Sequence, residues 1–103
     1  EVEDIMVNRD LINYITRFIQ ETRKDGNIAL GASPRASLAL IRAAQARAYT
    51  RGRTYCIPDD ILDLIVPVIA HRIILSPEAR LSKTGTEKVL KDILARLPIP
   101  VLS

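Results

Sequence analysis

The chain has 103 residues, 48% of them apolar and 4% aromatic, with a net charge of +3, one cysteine and one histidine. That length holds one domain with a single Leu/Ile/Val/Ala core, the apolar share excludes a disordered chain, and no run reaches the roughly 18–20 apolar residues of a membrane span. The lone Cys56 excludes an internal disulfide and, beside one histidine, a structural zinc site; it fits a reducing, cytoplasmic compartment.

The opening EVEDIMVNRD is acidic and lacks the apolar stretch of a signal peptide, and a start at Glu1 is expected of a domain taken from a longer chain. A first helix should begin with Asn8 as N-cap and Asp10 in its first turn, with Val7 packing on Ile12. Leu11, Tyr14, Ile15, Phe18 and Ile19 repeat at i, i+3, i+4, i+7, i+8 and make its core stripe; Gly26 is the expected stop. A second helix runs from Pro34 to about Arg51 and ends at Gly52, with Ser33 as N-cap. Leu38, Ile41, Ala44 and Ala48 are expected on one broad face, Arg35 and Arg42 on the opposite one, and Arg47 on another side. Its alanines favour the helix and close packing.

Thr54 to Ile57 reads as extended. A third helix starts at Pro58 with Asp59 and Asp60 as first-turn acids, carries Ile61, Leu64, Ile65, Val68 and Ile69 inward, and should kink or break at Pro67. Arg72 to Leu75 is a short apolar, extended run, and Ser76 to Lys83 a loop or single turn. A fourth helix begins near Thr84, where Thr84-Gly85-Thr86-Glu87 has capping-box spacing; Val89, Leu90, Ile93, Leu94 and Leu97 face inward, and Pro98 and Pro100 end it. About four amphipathic helices and no long strand specify a small all-α bundle.

The charge is unevenly spread. No acid occurs from Gly26 to Pro58, where Arg35, Arg42, Arg47, Arg51 and Arg53 fall. Such a block can meet the phosphate of a nucleic acid or of a nucleotide, or it can be a solvated helix face. The chain has no phosphate loop of its own, no HExxH, no GxSxG and no metal-spaced His/Cys set. Consecutive Asp59 and Asp60 point about 100° apart on a helix, which suits helix-start acids better than paired catalytic carboxylates. His71 suits a helix C-terminus, Cys56 a core position, and Tyr14, Tyr49 and Tyr55 are too scattered for base stacking. The isolated chain is not expected to be an enzyme. Arg35 is the misfit: in the first turn a cation opposes the helix dipole by roughly 0.3–1 kcal/mol. An anion held there by the helix N-terminus would remove the conflict.

Gly31-Ala32-Ser33-Pro34-Arg35-Ala36 resembles the "GASPRA" motif of the C-terminal lid domain of MoxR-family AAA+ ATPases. Thr22-Arg23, Leu38-Ala39-Leu40, Arg42-Ala43-Ala44, Gly52-Arg53, Tyr55, Pro58-Asp59-Asp60, Val68-Ile69-Ala70-His71-Arg72 and the tail ILARLPIP follow the family pattern in order, from about Val7 to Pro100. The resemblance implies one lid domain over residues 1–103, a helical bundle beside an αβα nucleotide-binding core domain of the same chain. It implies that Arg35 is the sensor arginine on the γ-phosphate of ATP, with Ser33 the second candidate contact, and that Arg35 serves its own or a neighbouring subunit's nucleotide. It further implies a ring, hexameric in form, with Mg²⁺ held by the core domain and chaperone-like work on a client protein. A basic nucleic-acid-binding module and a helical adaptor are the rival readings. The chain departs from the family at Cys56-Ile57-Pro58, where Val-Thr-Pro is common and Ile57 has no side-chain cap, at a cost of about 1 kcal/mol, and at Asp25-Gly26-Asn27-Ile28. Arg23, His71 and Arg72 match family positions without a firm role; contact with nucleotide, contact with a neighbouring subunit and structural salt bridges are the readings open for Arg23 and Arg72.

Overall fold

The structure is a computed structural model, and the described residues are 1–100. After a 3-10 turn at Val2–Asp4, α1 spans Arg9–Thr22, β1 Ile28–Leu30, α2 Pro34–Thr50, α3 Pro58–Ile69, β2 Ile74–Leu75, α4 Pro77–Leu81 and α5 Thr86–Ala95. A second 3-10 turn, Ala70–Arg72, follows α3 directly. The all-α expectation holds; the five helices among the described residues exceed the expected four by α4. Ser76 caps α4 by accepting from the Ala79 amide at 3.2 Å, and Pro77 takes the first helical position.

The core lies between α1, α2, α3 and α5. Leu11, Ile15 and Phe18 of α1, Leu40 of α2, Ile65 and Ile69 of α3, and Leu90 and Ile93 of α5 are all wholly buried. α2 packs chiefly on α3. Its contact stripe is Ala36, Leu40, Ala44 and Ala48, so the two backbones approach closely. This corrects the expected face. Leu38 is 54% exposed while Leu40 is fully buried, because at 100° per residue Leu40 centres on the Ala36–Ala44–Ala48 stripe and Leu38 lies well off it.

Four local expectations change as well. α1 ends at Thr22 with Arg23 as its C-cap, so Gly26 sits in the following turn and does not stop the helix. Ile12 is exposed, and Val7 packs against the core cluster instead. Pro67 does not break α3: it falls in the last turn, where only one carbonyl, that of Asp63, loses a backbone partner, and the helix continues to Ile69 before tightening into the 3-10 turn. At α5 the N-cap is Gly85, without a side-chain cap; the Thr84 hydroxyl bonds to that of Ser82 at 2.9 Å, and Glu87 pairs with Lys91, so the expected capping box does not form.

The extended stretches pair. β1 and β2 run antiparallel, with Ile28 opposite Leu75 and Leu30 opposite Ile74. Met6 forms a parallel bridge with Tyr55: the Met6 amide donates to Thr54 O and the Cys56 amide to Met6 O, both at 2.9 Å. Buried Gln45 of α2 donates to Ile5 O at 2.9 Å, tying the entry segment to the bundle.

Candidate functional site

The start of α2 is built by the end of α1. Thr22 is wholly buried; its hydroxyl donates to Ile19 O at 2.6 Å and accepts from the Ala32 amide at 3.1 Å. One residue earlier, a Cβ on Gly31 would lie 2.7 Å from Arg23 Cα, so glycine is required by the close approach of the two chains. Thr22-Arg23 and Gly31-Ala32 are thus one junction, and Arg35 emerges from it. From the sequence Thr22-Arg23 has no firm role, and Thr22 no proposed one; the signal for it is a Thr at a helix end, where a hydroxyl can serve a neighbouring backbone amide.

Arg35 is exposed in the first turn of α2, with no carboxylate within ion-pair distance among the described residues. Ser33 occupies the N-cap position but its side chain makes no capping hydrogen bond. Pro34 has no N–H, and the Ala36 amide bonds to Ser33 O, which leaves the Arg35 amide as a donor at the helix mouth. Arg35, Leu38, Ala39 and Arg42 line a shallow groove of about 440 Å³, and Arg72 closes its side from the 3-10 turn after α3. Arg72 Nε donates to Val68 O at 3.0 Å. Among the described residues, the groove is lined by three cations and no acid. A second cleft, beside Tyr14, sets Asp10 against Arg17 and so has no single sign of charge.

The basic block divides. Arg47 and Arg53, expected among the exposed cations, turn inward onto Asp60. This acid is wholly buried and takes two hydrogen bonds from Arg53, one of 2.7 Å from Nη2 to Oδ1; Arg47 Nε stands 3.4 Å away, and Arg47 also pairs with Asp63 at 2.6 Å. Asp60 Oδ2 accepts from the Ile57 amide at 2.9 Å, which satisfies the N-terminal donor that Ile57 cannot cap for itself. Burial pushes the Asp60 carboxyl up, but the Arg53 bonds, the Ile57 amide and the Arg47 charge outweigh it and hold the group below the usual aspartate range. The pairing reduces the block to Arg35, Arg42 and Arg51. Asp60 is therefore more than the helix-start acid expected; the clue was an acid-free arginine run that ends just before it.

The other candidates stay apart from the groove's chemistry. Cys56 is buried, and burial pushes its thiol to about 11, which makes it inert. His71 is exposed on the 3-10 turn. Asp25 of the variant turn accepts from the Asn27 amide and pairs with Arg96 at 2.8 Å, a structural tie between the exits of α1 and α5. No group of three or more His, Cys, Asp or Glu side chains among the described residues is placed to hold a metal ion.

The family described as "AAA lid domain" matches residues 20–93. The chain is 36% identical over 103 residues to "Chaperone MoxR1" of Mycobacterium tuberculosis, covering 91% of this chain and 27% of that protein. It is 38% identical over 101 residues to the Bacillus subtilis protein YeaC, covering 98% and 32%, and 39% identical over 71 residues to "Protein MoxR" of Paracoccus denitrificans, covering 68% and 21%. A crystal structure of a "putative ATPase" from Cytophaga hutchinsonii superposes with a TM-score of 0.91 at 29% identity, over 97% of this chain and 33% of that one. The chain thus spans a third or less of each of these relatives. It belongs to the AAA lid domain family, and the relatives it resembles include proteins named MoxR.

Proposed function

We propose that residues 1–103 form the lid of a MoxR-type AAA+ ATPase and that Arg35 is its sensor for the γ-phosphate of ATP. The observation that carries the reading is an exposed arginine in the first turn of α2, without an ion-pair partner among the described residues, its helix start held by the Thr22–Ala32 bond and the Gly31–Arg23 contact. Helix mouth and guanidinium offer donors to the same anion, and a guanidinium meets phosphate oxygens as a fork. Charge on the transferring phosphoryl group is stabilised, and the lid's position follows the nucleotide. Ser33, uncapped and beside Arg35, is the second phosphate contact.

ATP and Mg²⁺ belong to the intact protein, with Mg²⁺ on the core domain of the same chain. The subunits assemble as a hexameric ring in the cytoplasm, where Arg35 serves its own or the neighbouring nucleotide. The work done is chaperone-like: assembly of a client protein or insertion of its cofactor. A nucleic-acid module is disfavoured, because Arg47 and Arg53 are engaged by Asp60 and the rest of the block is short.

The test is steady-state ATPase and ATP binding by the full-length protein, wild type against Arg35→Ala. Turnover should fall by on the order of 10²-fold, as for loss of one preorganised donor, with folding and assembly intact. Mixing this variant with a core-inactive one tells whether Arg35 acts within its subunit or across an interface. Unchanged turnover and affinity would return Arg35 to a solvated helix start.

A further inference from the structure

Tyr14 of α1 is 5% exposed, and its hydroxyl is buried with no hydrogen-bond partner among the described residues. Buried hydroxyls are ordinarily satisfied, so an orphan calls for an explanation. Burial pushes the phenol above its ordinary value of 10.0, so at neutral pH it keeps its proton and can both donate and accept. Tyr14 lines the cleft of about 230 Å³ between α1 and the chain leaving α5. One wall is the Asp10, Asn13 and Arg17 face of α1; the other is Leu97, Pro98 and Pro100. The prolines carry no N–H, so the α1 wall supplies the polar contacts and the second wall offers mainly apolar surface. Asp10 and Arg17 are seven residues apart, about 10 Å along the helix axis on one face. Neither forms an ion pair among the described residues. Their opposite charges favour no ligand of net charge, but each serves one half of a peptide unit, the carboxylate an N–H and the guanidinium a C=O. About three extended residues cover the same 10 Å. The cleft is smaller than the roughly 300–1,000 Å³ of a site for a drug-sized molecule, so it takes a short stretch of chain.

We propose that the cleft between α1 and the segment from Leu97 to Pro100 binds an extended, uncharged stretch of another polypeptide, with the Tyr14 hydroxyl donating to one of its carbonyl oxygens. Asp10 accepts from a peptide N–H at one end, Arg17 donates to a C=O at the other, and the Asn13 amide, which both donates and accepts, serves the backbone between them. An apolar side chain of the peptide lies against Leu97 and Pro98. An extended peptide has this pairing of a polar backbone edge with alternate apolar side chains; a simple anion or cation does not. The inference is independent of the role proposed for Arg35, which lies on α2.

The probe is the uncharged peptide N-acetyl-alanyl-leucyl-alaninamide, titrated by calorimetry into the full-length protein as wild type, Tyr14→Phe and Arg17→Glu, with the thermal midpoint measured without peptide. Wild type should bind it at millimolar concentration. Tyr14→Phe should weaken binding by about two- to tenfold, the usual effect of one hydrogen bond. Its midpoint should be unchanged or raised, because the hydroxyl it removes has no partner among the described residues. Arg17→Glu, at an exposed position, should weaken binding without touching the core. No binding by wild type overturns the proposal. Equal binding by all three proteins overturns it too, since the peptide would then sit elsewhere. A lower midpoint for Tyr14→Phe with no peptide binding would give the hydroxyl a resident water. Binding that appears only when the protein is truncated after Pro100 would give the cleft to residues 101–103. Either of these results also overturns the proposal.

Discussion

Thr22 and Gly31 are ordinary residues with one demanding environment. Thr22→Val keeps the shape but leaves the Ala32 amide, in a fully buried residue, without its acceptor. We expect a loss of about 1–3 kcal/mol, measured by denaturant unfolding, and, on the function proposed above, a fall in ATPase activity of the full-length protein, because the start of α2 would no longer be fixed. Thr22→Ser should retain most of both. Gly31→Ala places a methyl against the Arg23 backbone and should cost about 1–3 kcal/mol in the same assay, with Gly26→Ala, which meets nothing within 4 Å, as the control. A Thr at a helix end signals that its hydroxyl serves some amide, but which amide, and what Gly31 meets, could not be seen in sequence, since the partners are brought together by the turn of the chain through β1. Arg35, in contrast, was legible: its conflict with the helix dipole needs only the order Ser33-Pro34-Arg35.

At the scale of elements, α2 and α3 are joined by two unlike devices. One is the small-residue stripe. Ala44→Leu should overpack it and cost about 1–3 kcal/mol. The other is the arginine–Asp60 knot, which fastens the loop before α3 and the flank of α2 to a single carboxylate. Asp60→Asn would leave the Arg53 guanidinium without its counter-charge and Arg47 with Asp63 alone, with an expected loss of about 3 kcal/mol. The pH dependence follows from the direction of the Asp60 shift. A carboxyl held below its ordinary value of 3.8 contributes its full stability above that value; the contribution shrinks as pH falls below it and vanishes under the folded-state pKa. Acid titration of unfolding should therefore show a steeper loss below pH 3.8 in wild type than in Asp60→Asn. Periodicity located α1, α3 and α5 because their apolar residues are large and evenly spaced. It misplaced the face of α2, whose inward positions are mostly alanine and whose two large leucines, Leu38 and Leu40, point different ways. α4, five residues long, lies within the stretch read as a loop or single turn and was not counted as a helix for its shortness, although Ser76-Pro77 repeats the helix-opening pair of Ser33-Pro34.

For the molecule as a whole, a 44 × 23 × 20 Å body presents its unpaired groove at the surface of α2. One groove open to solvent buries little of a nucleotide, so the 103-residue chain alone should bind ATP far more weakly than the full-length protein, a difference that calorimetry on both would measure. Similar affinities would mean that the lid by itself forms the pocket. The Met6–Tyr55 bridge bears on how such a body moves. It stitches the entering segment to the loop between α2 and α3, and Gln45 adds a further tie at Ile5. In a longer parent, a hinge for lid rotation cannot lie between Ile5 and α1 without breaking these bonds. On the proposed lid function, these ties would put the pivot upstream of Ile5, and from there on the chain would swing as a lever, carrying Arg35 with it.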